Sequence, residues 1–206
     1  MADILIDNQA APTTPAAGKS VLFVDSTTKR FAGMDDGGTP RGGALSSNMS
    51  VAQQTGFAAD TYLTSSDILI PSYGMKVGHV YAWEVGIEKT AAGVAAIICT
   101  VRTGSLRTTS DTSRAALTQL VAQTATASST IMLVRAAVRT VSASGVLVCM
   151  MSFGSSGTTT GFGDGDRIVS ATFDNTAMAG QYVGLSLNGG TSASYTIDYV
   201  TGWLQA

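Results

Sequence analysis

The sequence predicts an all-β chain: an antiparallel β-sandwich of jelly-roll type, preceded by an extended N-terminal arm with a small β-hairpin. Three observations carry this reading. Charged residues make up 13% of the 206, about half the ~25% of an ordinary soluble domain. With Glu84 and Glu88 as its only glutamates, the chain lacks the polar faces that surface helices carry. Glycine occurs 23 times, often beside Ser, Thr, Asn or Asp in turn-forming clusters, and between those clusters short apolar runs alternate at period two.

Residues 1–56 differ from the rest and read as the arm. Residues 10–17 hold Pro12 and Pro15 among Ala and Thr, an extended segment. Residues 21–25 (VLFVD) and 30–35 (RFAGMD) are two short strands joined by a turn, and the Gly-rich stretch 37–43 is linker chemistry. An isolated two-stranded hairpin is marginal in water. The arm is therefore expected to need a partner: its own domain, sister chains or an underlying particle.

Residues 57–206 read as the sandwich. Residues 67–71 make a short strand. Over residues 79–89, Tyr81, Trp83, Val85 and Ile87 share one face and Glu84 and Glu88 the other. Residues 93–103 are an apolar strand, and the linking TAAG (90–93) fits a tight hairpin. Residues 111–123 fit either a short helix or a bulged strand. In 131–141, Met132, Val134, Ala136 and Val138 face one way, and Leu133, Arg135 and Arg139 the other. Residues 145–153 pair back through SASG (142–145), and 167–173, 182–187 and 194–204 complete a set of roughly eight or more strands, as sandwiches and jelly rolls have. There is no internal repeat.

The bulk composition excludes several classes. Twelve basic and 14 acidic residues give a net charge of −2 with no basic stripe, so nucleic-acid binding has no electrostatic support. No run approaches the ~18 apolar residues of a membrane span. MADILIDNQ has neither a basic start nor a long apolar stretch, unlike a secretory signal; the expectation is cytoplasmic synthesis and assembly. The scarcity of charge fits either a surface covered by sister subunits or one solubilised by Ser and Thr. Cys99 and Cys149 lie in apolar runs as small core residues, with their pairing left open by the spacing.

Groups for chemistry are few. His79 is the only histidine; a Ser–His or Cys–His arrangement would need it, but no local signature surrounds it, and a structural role is the expectation. Glu84 and Glu88, four residues apart on one strand face, are separated by about 13–14 Å at ~3.4 Å per residue, longer than the ~5–10 Å of a glycosidase pair. GKS (18–20) lacks the upstream Gly of a phosphate-binding loop, since Thr13 stands there. GFGDGDR (161–167) offers Asp164 and Asp166 but no distal Glu, so a turn is favoured over a calcium loop. Tyr81 and Trp83, and likewise Tyr195, Tyr199 and Trp203, obey period two. This favours a buried core or interface over exposed sugar-stacking platforms. No cofactor, metal or catalytic residue is expected.

The arm APTTPAAGKSVLFVDSTTKRFAGMDDGGTPR resembles a segment of tailed-bacteriophage virion proteins, in which a Pro-rich stretch leads into an apolar strand, a Lys-bearing turn, an aromatic strand and D-x-x-G-T. The matching positions include Pro12, Pro15, Val21, Leu22, Phe23 and Phe31. Residues 59–104 are similar to the opening strands, and 182–206 to the last strands, of phage jelly-roll domains of head-decoration and fibre proteins. The resemblance implies a non-enzymatic virion structural protein, a capsid decoration (cement) or head-fibre protein, or alternatively a tail-fibre or receptor-binding protein touching host glycan. It further implies a homo-oligomer, typically a trimer, attached through the arm to the major capsid protein or another virion protein. The six residues just named are the candidate attachment residues.

Overall fold

The computed structural model describes residues 8–9, 13–17, 19, 21–25, 31–34, 40–41, 46–92, 94–119, 125–154, 167–190 and 195–205. Pro12 and residues 35–39 and 155–166 lie outside them. The described residues form strands and no helix, in three sheets.

The first sheet is small and N-terminal: β1 (Asn8–Gln9), β2 (Val21–Asp25), β3 (Phe31–Met34) and β4 (Pro40–Arg41), in that order across the sheet. The hairpin expected of VLFVD and RFAGMD is the β2–β3 pair, with Phe23 opposite Ala32. It is not left as an isolated hairpin. β1 adds parallel to β2, β4 adds antiparallel to β3, and Phe23 and Met34 are buried.

The large sheet contains β5 (Ser46–Ser50), β6 (Gln54–Thr55), β9 (Val80–Lys89), β12 (Ser128–Thr140), β13 (Gly145–Phe153), β14 (Arg167–Phe173) and β16 (Tyr195–Gln205). Its order is β14-β13-β12-β9-β16-β5, with β6 also on β16. The other layer runs β11 (Thr112–Thr118), β10 (Ile98–Gly104), β15 (Tyr182–Asn188) and β7 (Thr61–Tyr62), with β8 (Ile68–Leu69) also on β15. The two layers pack as a sandwich. Trp83, Val85, Ile87, Val134 and Leu204 of one face inward with Cys99, Val101, Leu117, Leu185 and Leu187 of the other, all fully or almost fully buried. The pairs β9–β16 and β10–β15 show the same two chain segments passing together from one layer to the other, as in a jelly roll, while β12-β13-β14 is a simple meander.

Three expectations are corrected, and one open alternative, helix or bulged strand over 111–123, is decided. TAAG is no hairpin: β9 and β10 lie in different layers, and the chain crosses between them through small residues such as Ala91, Ala92, Ala95 and Ala96. The 111–123 segment contributes strand β11, with a register shift against β10 at Val101/Arg102. The sandwich begins near Ser46 rather than at residue 57, because β5 and β6 form edge strands on β16. The third correction concerns the aromatic phase of β16. A register shift between Ile197 and Tyr199 turns the strand over. Tyr195 and Ile197 point inward before it; Val200, Gly202 and Leu204 do so after it. Tyr199 and Trp203 therefore stand on the outer face, a phase flip that one extra residue produces in any period-two strand.

Candidate functional site

Each residue proposed from sequence has a definite place. Phe23 is 0% exposed and Val21 lies two residues away on the same face, half-buried. Phe23 is thus a core residue of the small sheet rather than a free gripping side chain. Pro15 is half-buried in an irregular stretch closed by the Lys19 N–H donating to Ala16 O at 2.9 Å. Leu22 and Phe31 lie in β2 and β3, opposite Gly33 and Val24. Pro12 is outside the described residues.

The groups with chemical potential are mostly committed to structure. Cys99 and Cys149 are free, buried thiols. Burial pushes Cys149 up to about 12 and Cys99 higher still, so neither forms the thiolate a nucleophile needs. Glu84 accepts a 2.7 Å hydrogen bond from the Tyr199 hydroxyl, whose ring lies over Gly86; a Cβ on Gly86 would meet that ring at 2.4 Å. Gly86 is glycine because the aromatic ring occupies the space of a side chain. A Gly86→Val variant is expected to expel Tyr199 and lower Tm by several degrees, roughly the cost of overpacking at 1–3 kcal/mol, read by thermal denaturation. No group of three or more His, Cys, Asp or Glu among the described residues is placed to hold a metal ion.

What sequence reasoning missed is a cleft of about 440 Å³ lined by Tyr62, Thr64, Ser65, Asp67, Leu106 and Arg107. It arises where two loops meet beside β15. One loop follows β7. Leu63 is buried, and its N–H donates to Leu185 O at 2.9 Å. The buried Ser66 hydroxyl donates to Leu185 O at 3.2 Å and accepts from the Leu185 N–H at 2.9 Å. The Trp83 Nε1–H donates to Ser66 O at 2.6 Å. These bonds clamp the turn and leave Ser65 in the left-handed region at φ 59°.

The other loop joins β10 to β11. The Asp111 carboxylate accepts from the backbone N–H of Leu106 at 3.0 Å and of Arg107 at 2.7 Å. Gly104 admits this carboxylate, since a Cβ there would lie 2.0 Å from Asp111 Oδ1. The result holds Arg107 at φ 58°. Ser65 and Arg107 are the only non-glycine residues with positive φ among those described, and both line the cleft. Such strain persists only where the surroundings over-determine it, and it clusters at ligand sites.

The guanidinium of Arg107 stands 5.1 Å from the Tyr182 ring centre and 3.9 Å from Asp67 Oδ2. Burial raises the Asp67 carboxyl above the usual carboxylate range; Arg107 and the Asn48 side chain oppose it. Burial, with Asp67 nearby, also raises the Tyr62 phenol, so it remains a hydrogen-bond donor at neutral pH. The cleft thus presents a carboxylate, a guanidinium, a phenol and two hydroxyls beside an exposed leucine, Leu106. That set can grip a polyhydroxylated ligand. Only hydroxyl residues and a lone Asp mark it in the sequence; the site depends on two loops more than 30 residues apart meeting on β15. No family model matches this chain, and no curated protein matches it either.

Proposed function

We infer that the chain is a non-enzymatic structural protein of a tailed-phage particle, a capsid decoration (cement) or head-fibre protein held to the shell through its N-terminal segment. The virion assignment rests on the resemblance of residues 11–41 and of the flanking sandwich segments. The observation that best supports an assembling role is the outer face of the large sheet. It carries Met49, Ile131 and Ile168 at 62%, 42% and 71% exposure, with Leu133, Val148, Met150, Tyr199 and Trp203 half-exposed around them. Large apolar residues exposed together on one sheet face are a feature of contact sites.

The test is localisation: antibody–gold labelling of intact particles, with copy number from quantitative gels. Label over the head at hundreds of copies is expected; absence from particles overturns the reading. A truncation refines it. Deleting residues 1–45 keeps β5 and β6 on β16 and is expected to leave a folded sandwich that no longer binds particles. Deleting 1–56 removes both edge strands and lowers stability as well. Normal decoration by the shorter truncation would remove the N-terminal segment as the anchor.

The cleft favours a second reading, contact with host-surface glycan by a tail-fibre or receptor-binding protein. Saturation-transfer NMR against host polysaccharide would show ligand signals that Asp67→Ala abolishes. Signals that survive the substitution would exclude the cleft.

A further inference from the structure

We propose that the outer face of the large sheet pairs with the same face of a second copy across a two-fold axis. This deepens the assembly reading above by naming the face and the symmetry. Four exposed or half-exposed charges stand on or beside this face: Glu84 and Glu88 on β9, Arg135 on β12, and Arg139 at the irregularity that follows Val138. None of them makes an ion pair within the chain among the described residues. They are segregated, with the glutamates toward one end of the strands and the arginines toward the other.

Strand β9 serves as a ruler. Arg135 lies opposite Ala82, and Arg139 follows it by four residues along β12 as Glu88 follows Glu84 along β9; beyond Val80 the register between the two strands breaks, because Gly78 (φ 91°) and His79 both face Val138. The pair Glu84–Arg135 and the pair Glu88–Arg139 are then bisected at the same residue, Trp83. A half-turn about a line through that point, in the plane of the contact and perpendicular to the strands, brings Glu84 beside Arg135 of the second copy. The same rotation brings Glu88 beside Arg139 of the second copy, and both pairs form twice. The lateral offset is one strand spacing, ~4.8 Å, within reach of an arginine side chain.

The same axis matches side-chain size on three strands. On β16, Trp203 lies opposite Ala82 and Thr201 opposite Glu84, so Trp203 meets Thr201. On β13, Met150 lies opposite Arg135 and Ser152 opposite Leu133, so Met150 meets Ser152. On β12, Ile131 lies opposite Gly86 and Ala137 opposite Val80, so Ile131 meets Ala137. Large residues meet small ones at each step, which is how facing sheets interdigitate at ~10 Å separation. Because packed sheets cross at ~30°, the match is tightest near the axis, at the Glu84–Arg135 pair. A self-complementary patch closes as an isologous pair, in contrast to the trimer implied by the virion resemblance.

The test is sedimentation velocity on the full-length chain across a concentration series. The wild type is expected to be dimeric. Arg135→Glu is expected to raise the dimer Kd at least about tenfold by setting like charges together. The double charge swap, Arg135→Glu with Glu84→Arg, is expected to restore it. Glu84 also accepts a hydrogen bond from Tyr199, so a second swap, Glu88→Arg with Arg139→Glu, repeats the test without touching that contact. Circular dichroism identifies any variant that fails to fold. A monomeric or trimeric wild type, or single charge reversals that dimerise normally, would overturn the proposal. Dimers of a chain that never labels particles would leave it standing and sink the virion reading alone. Particle label from a monomeric chain would do the reverse.

Discussion

Replacing Arg102 with leucine is expected to destabilise the protein by about 3 kcal/mol, a larger effect than any other single polar substitution among the described residues. Arg102 comes from β10 and is almost fully buried. Its Nε donates to the Ser186 hydroxyl at 2.7 Å, and one Nη to the carbonyls of Thr109 and Asp111 at 2.9 and 2.8 Å. The other Nη pairs with the Asp60 carboxylate. These four hydrogen bonds tie β15, the β10–β11 loop and the segment before β7 to one point. Loss of one partner from a buried pair costs ~3–5 kcal/mol. The low end applies, because the Asp60 side chain is 35% exposed and can rehydrate. For a chain of this size the change corresponds to a Tm decrease of roughly 6–12 °C. Thermal unfolding monitored by circular dichroism measures it. A decrease of only a degree or two would show that the network is dispensable. The same substitution frees the loop that positions Arg107, so the cleft should lose its glycan signals along with the stability.

Acid will weaken the fold through His79. This residue is 1% exposed at the start of β9. Its Nδ1 accepts the Lys76 backbone N–H at 3.3 Å, which places the proton on Nε2, and that atom is buried without a hydrogen-bond partner. The Tyr73 ring stands edge-on at 5.9 Å. Burial, helped by the Lys76 charge, lowers the imidazole from 6.5 to about 4. The folded state therefore holds the neutral form while the unfolded chain takes up a proton. The contribution is fully present above pH 6.5 and is lost as pH falls towards 4, reaching roughly 3 kcal/mol at ~1.4 kcal/mol per tenfold in protonation. Asp67 runs the opposite way, since its carboxyl is raised and its stabilisation grows at low pH. Urea unfolding at pH 7 and pH 4 should show the wild type losing more stability than a His79→Gln variant. Equal losses in the two proteins would mean that His79 titrates normally.

The strands, and the inward faces of most of them, were legible in the sequence. Tyr81-Trp83-Val85-Ile87 and Met132-Val134-Ala136-Val138 alternate because a pleated strand with one buried face demands it, and every one of these residues is buried. That signal is local and needs no knowledge of partners. What the tertiary structure alone decided is non-local. TAAG has the chemistry of a hairpin turn, yet β9 goes to β12 and β16 because its buried face must be covered by the opposite layer. Tyr199 and Trp203 share the parity of Tyr195 in the sequence, yet a single extra residue at Asp198 turns them outward. The cleft is set by bonds such as Trp83 to Ser66 and Arg102 to Ser186, which join residues 17 and 84 positions apart. A sequence window sees periodicity, because periodicity is a property of one strand. It does not see pairing or pockets, because these are set by contacts that exist only once distant strands have met.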